Sequence, residues 1–128
     1  MPIFVVHEHH ATHLHWDLRL EFDKVLKSWA VPKQPSLKTG IKRLAIQVED
    51  HPLSYATFEG RLPEGTYGAG LVKIWDKGTF KIIERKEDKI EVEFKGTKLK
   101  GRYVLIIFKK AGKNQWLFFK ASSKNIAD

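Results

Sequence analysis

Residues His13 to Phe22 alternate polar and apolar side chains without a break, a run of period two that fits a β-strand and not a helix. Successive strand side chains point to opposite faces. Leu14, Trp16, Leu18, Leu20 and Phe22 are therefore expected to pack a core, while His13, His15, Asp17, Arg19 and Glu21 line the other side. An ordinary solvated strand face carries mostly Lys, Glu and Thr. This one sets imidazole, carboxylate and guanidinium within roughly 7 Å of one another along the strand, the groups that bind a metal and a phosphate together.

Similar alternation recurs over residues 3–6, 43–49, 71–75, 79–84, 89–95, 102–109 and 115–121. Asp76-Lys77-Gly78 reads as a tight hairpin turn between two of these runs, and Gly96, Gly101 and Ala111-Gly112-Lys113-Asn114 punctuate the last stretch. No segment carries a capped 3.6-residue stripe, so helix should be scarce. The expected fold is all-β: one domain over residues 1–128, built as a compact, closed or nearly closed β-barrel of about eight strands with long loops and little helix. Closure removes exposed strand edges. Residues 27–42, with Pro32, Pro35, Ser36, Gly40 and several lysines, are expected to form a long surface loop. Glu59 to Gly70 is rich in glycine, yet it leads into a strand run, whereas a phosphate cradle leads into a helix N-terminus.

Lys and Arg total 23 against 15 acidic residues, a formal net charge of +8. Such a surface attracts polyanions, and nucleic acid is the expected partner class. The absence of cysteine excludes disulfides and thiolate metal sites. The N-terminus lacks a signal-peptide pattern and no apolar run reaches membrane-spanning length, so a soluble, cytoplasmic protein is expected.

Five of the six histidines fall at positions 7, 9, 10, 13 and 15. His9, His15 and Asp17 supply two imidazoles and one carboxylate, three ligands that leave coordination positions open, as in a catalytic metal site. Arg19 lies one pleat beyond Asp17; it either pairs with Asp17 or Glu21 or clamps phosphate oxygens through its planar fork. His51 precedes Pro52 and is thereby held extended; Asp50-His51-Pro52 reads equally as a turn or as part of a site. Tyr55 is either a core ring or a phosphate-positioning hydroxyl.

At these residues a family resemblance emerges. His9, then Ala11-Thr12-His13-Leu14-His15-Trp16-Asp17-Leu18-Arg19-Leu20-Glu21, Leu26 to Lys33 and Val48 to Tyr55 are similar to the 3′-phosphoesterase domain of bacterial DNA ligase D. The resemblance continues through Phe58-Glu59-Gly60, Tyr67-Gly68-Ala69-Gly70 and Trp75-Asp76-Lys77-Gly78 to Trp116-Leu117 and Lys120. It implies a Mn²⁺-dependent barrel enzyme that trims 3′ ends in non-homologous end joining, removing a terminal ribonucleoside and then the remaining 3′-phosphate. Carried over, the metal ligands are His9, His15 and Asp17, the phosphate-binding residues Arg19, His51 and Tyr55, and the secondary candidates Lys33 and Arg43. His10 stands where an acidic residue is expected. With no longer N-terminal segment and no fused polymerase or ligase module in this sequence, a free-standing form is expected, working with a ligase, polymerase or end-binding protein in trans.

In this reading Arg19 clamps the equatorial oxygens, His51 either protonates the leaving oxygen or stabilises the transition state, and Lys33, Lys38, Lys42 and Arg43 attract the backbone. Two other readings compete. His15, Asp17 and His51 match the ligand set of two-histidine, one-carboxylate Fe(II) oxygenases, and four tryptophans with basic loops suit a non-catalytic barrel that binds single strands.

Overall fold

The computed structural model describes residues 1–65 and 69–122, so Tyr67 and Gly68 of the resemblance lie outside the described residues. Among these described residues nine strands follow one another: β1 Ile3–His10, β2 Leu14–Phe22, β3 Val25–Val31, β4 Arg43–Pro52, β5 Gly60–Leu62, β6 Gly70–Arg85, β7 Lys89–Gly96, β8 Lys100–Ile107 and β9 Gln115–Lys120. Among the described residues there is no α-helix, and single 3₁₀ turns cover Leu53–Thr57 and Lys109–Ala111. Among the described residues no helix is long and apolar enough to cross a membrane.

The sheet runs β1-β2-β3-β4-β9-β8-β7-β6, all antiparallel, and β6 pairs back onto β1, closing an eight-strand barrel as the sequence predicts. The short β5 lies along the start of β6. Strict alternation drives the closure: Ile90, Val92 and Phe94 point inward from β7 while Glu91 and Glu93 point out. Phe94 is the hub of the interior, with ring centroids 4.6 Å from Phe4, 5.3 Å from Tyr103 and 6.2 Å from Phe118. Trp29 and Trp116 stack edge to face at 5.8 Å nearer one end. The interior is therefore packed with side chains, as in other small barrels.

Three expectations are corrected. Residues 27–42 are not all loop: Val25–Val31 is a central strand paired on both sides, with β2 along its whole length and with β4 through a bulge between Leu26 and Ser28, and the loop begins at Pro32. Asp76-Lys77-Gly78 is not a hairpin, because β6 runs unbroken for 16 residues through it. Gly78 is needed for close approach, since a Cβ there would overlap the Lys95 carbonyl. Asp76 is buried, and its carboxylate accepts from the backbone N–H groups of Lys77, Thr97, Lys98 and Leu99. Finally, Leu14 does not pack in the core; it stands exposed at the barrel rim, whereas Leu18, Leu20 and Phe22 are buried as expected.

Candidate active site

The polar face of β2 is on the outside of the barrel, and it is covered. The Leu53–Thr57 turn folds back over β1, β2 and β3, seating Ala56 against Val5 and Leu26 in a small second apolar cluster. Under this cover the outward side chains of β1 meet those of β2 in register: Val5 opposite Arg19, His7 opposite Asp17, His9 opposite His15. His7, His9, Asp17 and Arg19 are buried, as is Ser28 on β3. A pocket of about 530 Å³ opens above them, with His51, Tyr55 and His13 also on its wall.

Asp17 Oδ2 lies 3.3 Å from His15 Nε2 and 3.6 Å from His9 Nδ1. The second nitrogen of each ring is tied to a backbone carbonyl, His9 Nε2 to Ala69 at 3.2 Å and His15 Nδ1 to His13 at 3.0 Å. A neutral ring that donates to a carbonyl through one nitrogen presents a lone pair at the other. Both rings are thus set so that, with an ion bound, His9 Nδ1 and His15 Nε2 would present lone pairs beside the Asp17 carboxylate; without an ion the same nitrogens face it as hydrogen-bond donors. Three such ligand atoms within 4.8 Å of one another form the metal-competent group found among the described residues. Imidazoles oriented by carbonyls are the ordinary support of a metal site, so the residues present fit a divalent ion. With no ion bound, hydrogen bonding to Asp17 raises the His15 pKa. Burial opposes ionisation of Asp17, but hydrogen bonds from His15 and His9 and the charge of Arg19 outweigh it and hold the carboxyl far below the ordinary carboxylate range.

Arg19 is the centre of a second network. Its Nε donates to His7 Nδ1 at 3.1 Å, Nη1 to Ser28 Oγ at 2.9 Å and to His51 Nδ1 at 3.1 Å, and Nη2 to Asp17 at 3.4 Å. Of five guanidinium N–H groups, one on Nη2 is left, so Arg19 offers a phosphate a single donor where the sequence suggested a bidentate clamp. Its guanidinium lies 5.0 Å from the Tyr55 ring centroid, and Tyr55 stacks on Phe58 at 5.0 Å. A guanidinium cannot accept a hydrogen bond, so His7 accepts from it through Nδ1 and carries its hydrogen on Nε2. His51 Nδ1 lies between Arg19 Nη1 and the Glu49 carbonyl at 3.2 Å. We assign it as acceptor from the cation, because a hydrogen there would point at a guanidinium N–H, and the ring hydrogen of His51 is then on Nε2. His7 Nε2 then donates to the Phe58 carbonyl at 3.1 Å. Burial, then the Arg19 charge, lowers the pKa of both rings, that of His7 to about 4. Burial likewise raises the Tyr55 pKa.

The structure thus brings together His9, His15, Asp17, Arg19, His51 and Tyr55. It does not bring in Lys33, which is exposed, or Arg43, whose Nε donates to the Gln34 carbonyl at 2.9 Å; neither lines the pocket. His10 bonds Glu8 at 2.6 Å on the opposite face of β1 from His9. The oxygenase ligand set does not form, because His51 faces the Arg19 cation and His9 takes the place beside Asp17. Sequence reasoning missed His7 and Ser28 as parts of the site. The signal for His7 was its position two residues before His9, on the same strand face; Ser28 carried none.

Comparison with known proteins follows the same outline. A family model described as the DNA Ligase D 3′-phosphoesterase domain matches residues 7–107. The multifunctional non-homologous end joining protein LigD of Pseudomonas aeruginosa is 48% identical over 124 residues, covering 92% of this chain and 15% of that protein. The multifunctional non-homologous end joining DNA repair protein LigD of Mycobacterium tuberculosis is 48% identical over 118 residues, covering 89% and 15%. LigD of Mycolicibacterium smegmatis is 46% identical over 125 residues, covering 89% and 16%. The chain spans about one-sixth of the length of these curated relatives.

Proposed function

We propose, because this chain belongs to the DNA ligase D 3′-phosphoesterase domain family, that it is a metal-dependent hydrolase which trims the 3′ ends of nucleic acid during end-joining repair. The reaction is removal of a 3′-terminal ribonucleoside followed by hydrolysis of the remaining 3′-phosphate, with Mn²⁺ as the favoured ion. The observation that carries this reading is the convergence of His9 Nδ1, His15 Nε2 and Asp17 Oδ2, each ring locked by a backbone carbonyl. A divalent ion held there supplies a Lewis acid for a phosphate oxygen and a water acidic enough to attack near neutral pH.

The chain's own groups do the rest. The free Nη2 hydrogen of Arg19 binds a phosphate oxygen, and the network behind it holds the guanidinium in place before substrate arrives, so little reorganisation is needed. His51 carries its hydrogen on Nε2 and gives it to the leaving oxygen or to a second phosphate oxygen. Tyr55 orients the phosphate through its hydroxyl, on a ring fixed between Phe58 and Arg19. Burial of Asp17 and Arg19 excludes water from one side of the reacting phosphorus and strengthens each of these interactions.

The test is incubation of the protein with an end-labelled primer–template bearing one 3′-terminal ribonucleotide, with Mn²⁺ and with chelator. Shortening to a 3′-phosphate and then to a 3′-hydroxyl, with metal only, is expected. Binding without cleavage under both conditions overturns the assignment.

A further inference from the structure

The catalytic pocket does not end at β4. Val48 and Glu49 line it and also line a neighbouring groove of about 520 Å³ whose other walls are Gln47 and Asn114. Asn114 belongs to the hairpin between β8 and β9, which is fixed against β4 by a 2.8 Å bond from the Gln47 N–H to the Asn114 carbonyl. A further 2.8 Å bond, from the Phe108 N–H to the Gln115 carbonyl, closes its base. Gly112 and Asn114 both take positive φ, which turns the chain tightly.

Lys109, Lys110 and Lys113 put three exposed cations on this hairpin within five positions. None is ion-paired among the described residues. Some lysines elsewhere are held, Lys27 by Asp50, Lys86 and Lys89 by Glu84, and Lys98 over Trp75, and others, such as Lys73 and Lys81, have no ion pair among the described residues. What sets the hairpin apart is three such cations within five positions beside Asn114, which lines the groove. Beside the three lysines, Phe108 exposes part of its ring. The family model's match stops at residue 107, just before the hairpin.

We propose that the β8–β9 hairpin is a docking arm for the phosphate backbone of the nucleic acid whose 3′ end occupies the catalytic pocket, an inference that rests on the phosphoesterase reading. Ammonium groups on flexible stems neutralise phosphates as point charges, release counterions and read no bases. The arm therefore holds any sequence. Glu49, which lines both pocket and groove, repels phosphate there, and the hairpin that carries Asn114 supplies the opposing positive charge. Phe108 offers a flat apolar surface to a sugar or base.

The triple variant Lys109→Gln, Lys110→Gln, Lys113→Gln tests this. Binding of a fluorescent duplex primer–template with a 3′-phosphate is followed by anisotropy, in chelator, across a salt titration. Hydrolysis is measured in parallel on that duplex and on a 3′-phosphorylated dinucleotide too short to leave the pocket. Each duplex phosphate contact contributes about 0.9 to the slope of log K against log salt, so the slope should flatten by about 2.7. Kd at 0.1 M salt and KM for the duplex should rise at least tenfold, with dinucleotide hydrolysis unchanged. An unchanged Kd and slope, or equal losses on both substrates, overturns the docking arm. If the unsubstituted protein hydrolyses neither substrate, the phosphoesterase reading fails, and the anisotropy titration still decides whether the hairpin binds backbone.

Discussion

Asp76→Asn, a change of one atom, should cost this barrel about 3 kcal/mol. In the folded chain Asp76 Oδ1 accepts from the N–H of Lys77 and Thr97 at 2.9 Å, and Oδ2 accepts from Lys98 at 3.0 Å and Leu99 at 2.7 Å. Three of these donors belong to the turn between β7 and β8, so one carboxylate braces that turn against β6. An asparagine keeps one acceptor oxygen and replaces the other with an NH₂ group, which points hydrogens at two backbone donors whichever way the amide is turned. Hydrogen bonds to a charged group contribute roughly 1.5–3 kcal/mol each, so losing two gives about 3–6 kcal/mol. Relief of the cost of burying the charge offsets part of that, leaving about 3. Equilibrium urea unfolding followed by tryptophan fluorescence should show a lower midpoint with an unchanged m-value. Any hydrolysis at permissive temperature should survive, because Asp76 does not line the candidate active-site pocket. A loss below 1 kcal/mol would refute the view that the carboxylate braces the turn.

Asp17→Ala should abolish metal-dependent hydrolysis by at least a hundredfold while the protein stays folded, checked by turnover and Mn²⁺ titration calorimetry; a folded variant with full activity would sink the metal assignment. Burial and the Arg19 charge hold His7 near pKa 4 against about 6.5 in an unfolded chain. The stabilisation from its neutral ring is therefore complete above pH 6.5 and lost as pH falls toward 4, about 2 kcal/mol of it between pH 7 and 5. His7→Gln keeps an acceptor for Arg19 and a donor for Phe58 but does not titrate, so in chelator its unfolding free energy should fall by about 2 kcal/mol less over that range; parallel curves would contradict this. Asp23 and Lys24 both sit at positive φ, 54° and 68°, in the two-residue turn between β2 and β3, and Lys24→Gly should stabilise the protein by up to about 1 kcal/mol. An unchanged or lower urea midpoint would count against strain at Lys24.

That turn also explains why one central strand was illegible. A two-residue hairpin of this kind normally announces itself with Asn-Gly or Asp-Gly; here Asp-Lys adopts the geometry and gives no signal. The strand after it is buried on both faces, Leu26 and Ser28 on one and Trp29 and Val31 on the other. Its alternation is lost in an apolar run, and the prolines that follow dominate the reading. The false turn at Asp76-Lys77-Gly78 has the converse cause. Asp and Gly are turn formers for reasons that serve equally well inside a sheet, where Asp binds nearby N–H groups and Gly lets two backbones approach. The other barrel strands were legible, in whole or in part, because alternate residues face the core, which gives a period of two; the short β5, with none of its three residues buried, lay hidden in the glycine-rich stretch.

The site was legible where it used that same period and hidden where it crossed strands. His15, Asp17 and Arg19 share one face of β2, so one line of sequence set them side by side. Whether His9 or His51 would complete the metal set could not be read from spacing, because that depends on which strands pair. Register decides it: His9 lands opposite His15, and β4 delivers His51 to Arg19 instead. The role of Arg19 was underdetermined for the same reason. On an exposed strand its fork would be free for phosphate, but here the turn after β4 roofs it over, and a buried guanidinium must satisfy nearly all its donors. His7, Ser28, His51 and Asp17 do that, and they come from four different strands. Burial thus turns a residue that reads as a ligand clamp into the keystone of its own support, with one N–H left to meet the substrate.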